Sequence, residues 1–221
     1  MIQITKTKQL DLLFTKWEQE IPGYKNHFVK DGIINEDLYE QTNPKVLFIT
    51  KEPNNPNQHP GDFREWWKEE VKHGFSKRIA ELSFGIINDF VQYDTVRKSR
   101  GPYSMKQTIQ HIAFMNIKKT GGTGSSKYER ILEHLKTNYQ FIHHQIDIID
   151  PEIIVLGLSW KEIRNELFPE IKWLNSGYDI LIGRHKNSKV IDFYHPSSRN
   201  APAAMYSLLQ NVIQAPQFKN L

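Results

Sequence analysis

Four short runs in this chain are almost wholly apolar: Val46-Leu47-Phe48-Ile49, Ala113-Phe114-Met115, Ile153-Ile154-Val155-Leu156 and Val190-Ile191-Asp192-Phe193. Runs of this length without polar alternation are buried on both faces, as parallel strands are when helices cover both sides of a sheet. The pattern predicts strands over Lys45–Thr50, Ile112–Asn116, Ile153–Leu156 and Val190–Tyr194. Helical spacing fills the intervals: residues 7–20, Phe63 to Val91 with a break near His73-Gly74, Lys127 to about Ile149, Trp160 to Leu167, and Ala201 to Ile213. Ser125 or Ser126 is the expected cap of the long third helix, and Pro151 its stop. Trp173 to Arg184 reads as a hairpin-like stretch. The expected fold class is therefore α/β, a three-layer α/β/α arrangement around a short, mainly parallel central sheet. At 221 residues the chain suits a single domain spanning 1–221, with residues 1–44 as a helical and irregular extension packed on it.

Composition removes several function classes. The chain has no cysteine, which excludes disulfides, thiolate metal sites and cysteine-held iron-sulfur clusters and fits a reducing cytoplasm. Neither a signal-peptide-like apolar block nor a membrane-length run is present, so a soluble, cytoplasmic protein without a membrane partner is expected. His143-His144 are adjacent on a helix and point apart, so no metal site is assigned to them, and no cofactor is expected. The net charge of +4 permits a polyanionic partner without requiring one. Lys51, Lys118, Lys119 and Arg199 sit on loops that follow strands, and Arg97, Lys98 and Arg100 on a further loop. If those loops share a face, that face is expected to be positive.

The loops that follow the strands carry the chemistry. Three predicted strands run directly into polar segments: Thr50-Lys51-Glu52-Pro53-Asn54, Asn116-Ile117-Lys118-Lys119, and Tyr194-His195-Pro196-Ser197-Ser198-Arg199-Asn200. Open α/β sheets bind their ligands at the carboxyl ends of the strands. Proline holds the preceding His195 in extended geometry at such an end. A carboxylate, an amide and an imidazole are thus expected to converge there.

Taken together, these segments resemble the uracil-DNA glycosylase superfamily. Thr50-Lys51-Glu52-Pro53 stands where that family has a Gly-x-Asp/Asn-Pro turn, Phe114-Met115-Asn116 where it has its base-reading asparagine, and His195-Pro196-Ser197 where it has its final motif. Ile149 to Gly157 is similar to the helix, proline, strand and glycine between those motifs. The longer segment His195-Pro196-Ser197-Ser198-Arg199-Asn200 is most similar to the His-Pro-Ser-Pro-Arg-Asn pattern of the single-strand-selective monofunctional branch. Two positions depart from the family pattern: the first motif's glycine is Thr50, and its Asp or Asn is Glu52, one methylene longer.

The resemblance implies a monofunctional DNA glycosylase that hydrolyses the N-glycosidic bond of uracil or a related damaged base, acting as a monomer on single- or double-stranded DNA. It implies catalytic roles for His195, as an N–H donor to a pyrimidine carbonyl, and for Glu52, as the group that orients water. Asn116 would read the base edge, and Phe63 or Tyr103 would stack on the extruded ring. Arg199 is placed as wedge or phosphate contact, with Ser197, Lys118, Lys119 and Arg100 among the DNA-binding residues. Trp66-Trp67 is expected to form core and helix surface rather than to stack on a base. Two alternatives stand beside this: a superfamily member that binds nucleic acid without cleavage, and a nucleoside or nucleotide N-glycosidase.

Overall fold

The computed structural model describes residues 4–98, 102–123 and 125–221, without the side chains of residues 102–104. The chain runs from helix α1 (Lys6–Glu20) through strands β1 (Val29–Lys30) and β2 (Gly32–Ile33) and helix α2 (Glu36–Gln41) to β3 (Val46–Thr50). Strand β4 (Gly61–Asp62) and helices α3 (Phe63–Glu69), α4 (Gly74–Ile87), α5 (Tyr93–Lys98) and α6 (Pro102–Ile109) precede β5 (Ala113–Asn116). Helices α7 (Tyr128–Thr137) and α8 (Tyr139–Ile149) lead to β6 (Ile153–Leu156) and α9 (Lys161–Leu167). Strands β7 (Leu174–Asn175), β8 (Leu181–His185) and β9 (Ser188–Asp192) and helices α10 (Pro202–Gln214) and α11 (Pro216–Lys219) complete it.

Among the described residues the main sheet has seven strands in the order β2-β5-β3-β6-β9-β8-β7. The four central strands, which are the four apolar runs, pair in parallel, while β2, β8 and β7 add antiparallel edges. Alternation along each central strand divides the core. Phe48, Phe114, Val155 and Ile191 face α4, α6 and α10 through Ile79, Ile109 and Leu209. Leu47, Met115, Ile154 and Val190 face α1, α7, α8 and α9 through Phe14, Ile131, Ile146 and Ile163. The result is a mixed α/β fold with a mostly parallel sheet between two helical layers. No helix among the described residues is long and apolar enough to cross a membrane.

The structure departs from the sequence expectations at several places: Arg97 and Lys98, expected on a loop, end helix α5. The expected single helix to Ile149 is two, parted at Asn138, whose amide Nδ2 donates back to the His134 carbonyl at 2.8 Å while its Oδ1 accepts the buried Trp17 indole N–H at 2.6 Å. A short amide that can bond its own backbone competes with helix continuation. Helix α7 starts after Lys127 with no side-chain cap, so neither Ser125 nor Ser126 fills that role. The last central strand begins at Ser188 rather than Val190, because a hairpin at Lys186-Asn187 pairs His185 with Ser188.

Residues 26–44, without periodicity in sequence, supply α2 and the edge strand β2. Helix α2 is capped by the Asn35 side chain, which accepts from Leu38 N–H at 3.3 Å.

The chain leaves β3 over one face of the sheet, through α3 to α6, and leaves β5 over the other, through α7 and α8. That divergence opens a crevice at the carboxyl ends of β3 and β5, where such sheets hold ligands.

Candidate functional site

A cleft of about 1310 Å³ occupies this crevice, lined by Glu52, Asn116 and His195 together with Phe63, Trp66, Trp67, Phe75 and Phe114. The three polar groups expected to converge from distant parts of the chain do share one cavity. The geometry that brings them there starts at the register pair Thr50↔Asn116, the last rungs of β3 and β5. Thr50 Oγ1 donates to Asn116 Oδ1 at 2.7 Å, so the Thr50 side chain orients the amide. Asn116 is 1% exposed, and its Nδ2 has no hydrogen-bond partner among the described residues. An unpartnered amide N–H₂ at the buried end of a cleft costs free energy unless a ligand accepts from it.

Beyond the sheet the two loops stay in step. Ile117 N–H donates to Thr50, Lys118 N–H to Lys51, Gly122 N–H to Pro53, and Asn55 N–H to Gly122. Glu52 lies in this zipper and ion-pairs with Lys118 Nζ at 2.7 Å, both side chains being nearly buried. Gly122 makes the space: a Cβ there would sit 2.2 Å from the Glu52 carboxyl carbon. A side chain there would displace the Glu52 carboxylate from its present position.

Gly157, just past β6, plays the corresponding part for the imidazole. Its Cβ position is 3.4 Å from both Thr50 Cγ2 and His195 Cα, so the β3 end and the His195 backbone close on the same small volume.

His195 sits in a tight turn in which Ser198 N–H donates to the His195 carbonyl at 2.8 Å. Ser197 N–H donates to His195 Nδ1 at 3.1 Å, which places the proton of the neutral ring on Nε2. Burial, reinforced by the nearby Lys51 ammonium, pushes the imidazole pKa down to about 4. His195 is therefore a neutral N–H donor at physiological pH. Lys51 stacks over Trp160, 4.9 Å from the ring centroid, and burial lowers its own pKa, with Glu52 opposing. Phe75 packs against the His195 ring at 5.7 Å and against Phe114 at 5.8 Å.

A proton titration of His195 followed by NMR is expected to show a midpoint near pH 4. Lys51→Met, by removing a neighbouring cation, is expected to move it upward. The unfolded imidazole takes its proton near its ordinary value of 6.5, whereas the folded ring waits until about 4. His195 thus withdraws stability as pH falls through that window and none above it. A wild-type midpoint at or above 6.5 would contradict the placement.

The remaining expected site residues divide. Phe63 is half-buried in the cleft wall, 5.1 Å from both Trp66 and Phe114. Ser197 and Arg199 are exposed, the first on the cleft wall. Arg100 and the Tyr103 side chain lie outside the described residues.

Lys118 and Lys119 are corrected. Lys118 Nζ is engaged by Glu52 and by the Gly121 carbonyl at 2.8 Å, and Lys119 is wholly buried against Asp31 at 2.6 Å. Neither ammonium can reach a phosphate. Nor is the cleft positive: its lysines are Lys51, Lys72 and Lys161, against the carboxylates Glu52, Glu69, Glu70, Asp179 and Asp192. Of the pair expected as core and helix surface, Trp67 is buried and Trp66 is 42% exposed, on the cleft. Phe75 was not singled out in the sequence, and Thr50 and Trp66 were noted there without a role in the cleft, the first as a departure from a glycine pattern and the second as core or helix surface. Only the cross-strand partnership of Thr50 with Asn116 had a signal there, since both close apolar runs.

No protein-family model matches the chain, and no curated protein matches it.

Proposed function

We propose that this cleft is the base pocket of an N-glycosidase that hydrolyses the bond between uracil, or a related base, and deoxyribose in DNA. The observation that carries the reading is the unpartnered, buried Asn116 Nδ2 beside the neutral His195 imidazole in one cleft. A uracil edge presents a carbonyl O4 to accept from Nδ2 and an N3–H to donate to the second lone pair of Oδ1. Cytosine presents an amino group and a bare N3 at the same places, so it meets donor with donor. The His195 Nε2–H is assigned to the O2 carbonyl, where negative charge gathers as the base leaves.

In the step itself, a water oxygen bonds to C1′ while the C1′–N1 bond breaks and its electron pair goes to the base. The water proton passes to the Glu52 carboxylate or to solvent. The base leaves as its N1 anion and takes a proton from solvent, so the products are an abasic sugar and the free base.

The cleft lining, in which Glu52, Glu70 and Asp192 are each paired with a cation and no excess of lysine is left over, favours a second reading, a free nucleoside or nucleotide as substrate, because a polyanion gains little from such a wall. Incubation with uracil-containing single- and double-stranded oligonucleotides, deoxyuridine and deoxyuridine monophosphate separates the two. Alkali-labile sites in the oligonucleotides support the DNA reading. Uracil released only from the small substrates supports the second. Absence of release from all of them rejects both and leaves nucleic-acid binding without cleavage.

A further inference from the structure

Behind the cleft lies a charge pair that the proposed chemistry does not touch. Asp31 and Lys119 have side chains of 0% relative exposure and meet at 2.6 Å. Gln145 Nε2 donates to the same carboxylate oxygen at 2.8 Å, and the ammonium lies 5.3 Å from the centroid of the Trp17 ring. Taking two charges fully out of water is costly, and apolar replacements of equal volume often match or exceed such a pair in stability.

The second carboxylate oxygen points to what the pair does. It accepts the main-chain N–H of Asn116 at 2.9 Å. Strand β2 pairs with β5 only at Gly32↔Phe114 and Ile33↔Ala113, so the Asn116 N–H, on the β2 side, would otherwise face no backbone acceptor. A carboxylate makes this a charge-assisted bond. The last residue of β5 is thereby fixed twice, its main chain by Asp31 and its Oδ1 by Thr50.

We infer that Asp31, held in place by Lys119, is a positioning residue that sets the direction of the Asn116 amide into the cleft. This rests on the base-pocket reading, and it extends the set of residues behind base selectivity to the segment before β2.

Two double variants remove the buried charges while differing in one bond. Asp31→Asn/Lys119→Met keeps an oxygen for the Asn116 N–H, and its new N–H₂ takes the place that faces Gln145 Nε2, so the Gln145 amide turns over to present Oε1, which is unpartnered among the described residues. Asp31→Leu/Lys119→Met keeps the volume and removes the acceptor. The first is expected to retain uracil release within about threefold of wild type. The second, at comparable melting temperature, is expected to lose about tenfold or more in kcat/KM and to narrow the preference for uracil over cytosine, as a small misplacement at a reacting centre does. Amide exchange at Asn116, followed by NMR, is expected to quicken about tenfold or more in the second variant alone.

Equal selectivity and equal Asn116 exchange in the two double variants would overturn the inference. Where the leucine variant fails to fold, Asp31→Thr/Lys119→Met, whose hydroxyl is too short to reach, carries the same expectations. A wild-type chain that releases no base rejects the base-pocket reading, and the Asn116 exchange comparison then still decides whether Asp31 positions the amide.

Discussion

Asn116→Asp is expected to lower kcat/KM for uracil release by about 10²- to 10³-fold, the loss seen when one preorganised donor is removed from a comparable site. The substitution is nearly isosteric, and the Thr50 hydroxyl that donates to Oδ1 finds an equivalent oxygen, so β5 keeps its end. What disappears is the Nδ2 donor, the buried group that has no other partner among the described residues. His195→Ala is expected to cost a similar factor, because it removes the N–H that the base-pocket reading assigns to the carbonyl where charge develops. The two losses are expected to combine to less than their product, since both groups act on one departing base. Single-turnover release from an oligonucleotide, with melting temperature as control, checks each. Asn116→Asp that folds and still releases uracil at the wild-type rate would remove the base-reading role from this residue.

The central strands were legible because each is a solid apolar run and each ends where polarity returns. Val46 to Ile49, Ile153 to Leu156 and the break between α3 and α4 needed nothing beyond local pattern. The strand ends at Thr50 and Asn116 were legible for the same reason, and with them the place of the cleft. Strand β2 was not, because two residues carry no periodicity and become a strand only by pairing with β5. Helix α7 could not be separated from α8 in sequence, since Asn138 bonds back to His134 while its oxygen is held by the Trp17 indole N–H, 121 residues away.

Charge was the least legible property. Lys118 and Lys119 follow a strand in a polar loop, where lysines ordinarily face solvent, and both turn inward to carboxylates 66 and 88 residues away. Their partners, Glu52 and Asp31, occur at no spacing that local sequence could connect. Expecting a positive face from loop lysines failed for this reason: the lysines are spent on internal pairing, one behind each of two polar groups of the cleft. The first motif illustrates the same limit. Thr50 reads as a departure from a glycine pattern, yet its hydroxyl is what holds the Asn116 amide.

Lys118→Met is expected to destabilise the fold by about 3 to 5 kcal/mol, because it leaves the Glu52 carboxylate nearly buried without its counter-ion. For a chain of this length that corresponds to a fall in melting temperature on the order of 10 °C. Adding Glu52→Gln to that variant removes the orphaned charge and is expected to restore most of the loss, so the pair contributes little net stability. The double variant then isolates what the carboxylate does chemically. Glu52 is longer than the Asp or Asn of the family it resembles, and the space above Gly122 together with the Lys118 ammonium folds the extra length back against the β5 loop. The base-pocket reading assigns the second oxygen of this carboxylate to the attacking water. Glu52→Gln/Lys118→Met is accordingly expected to melt near the wild-type temperature and to release base about 10²- to 10⁴-fold more slowly, the range for loss of a positioned general base. If the double variant is stable and fully active, Glu52 serves only the ion pair, and water must be oriented by another group in the cleft.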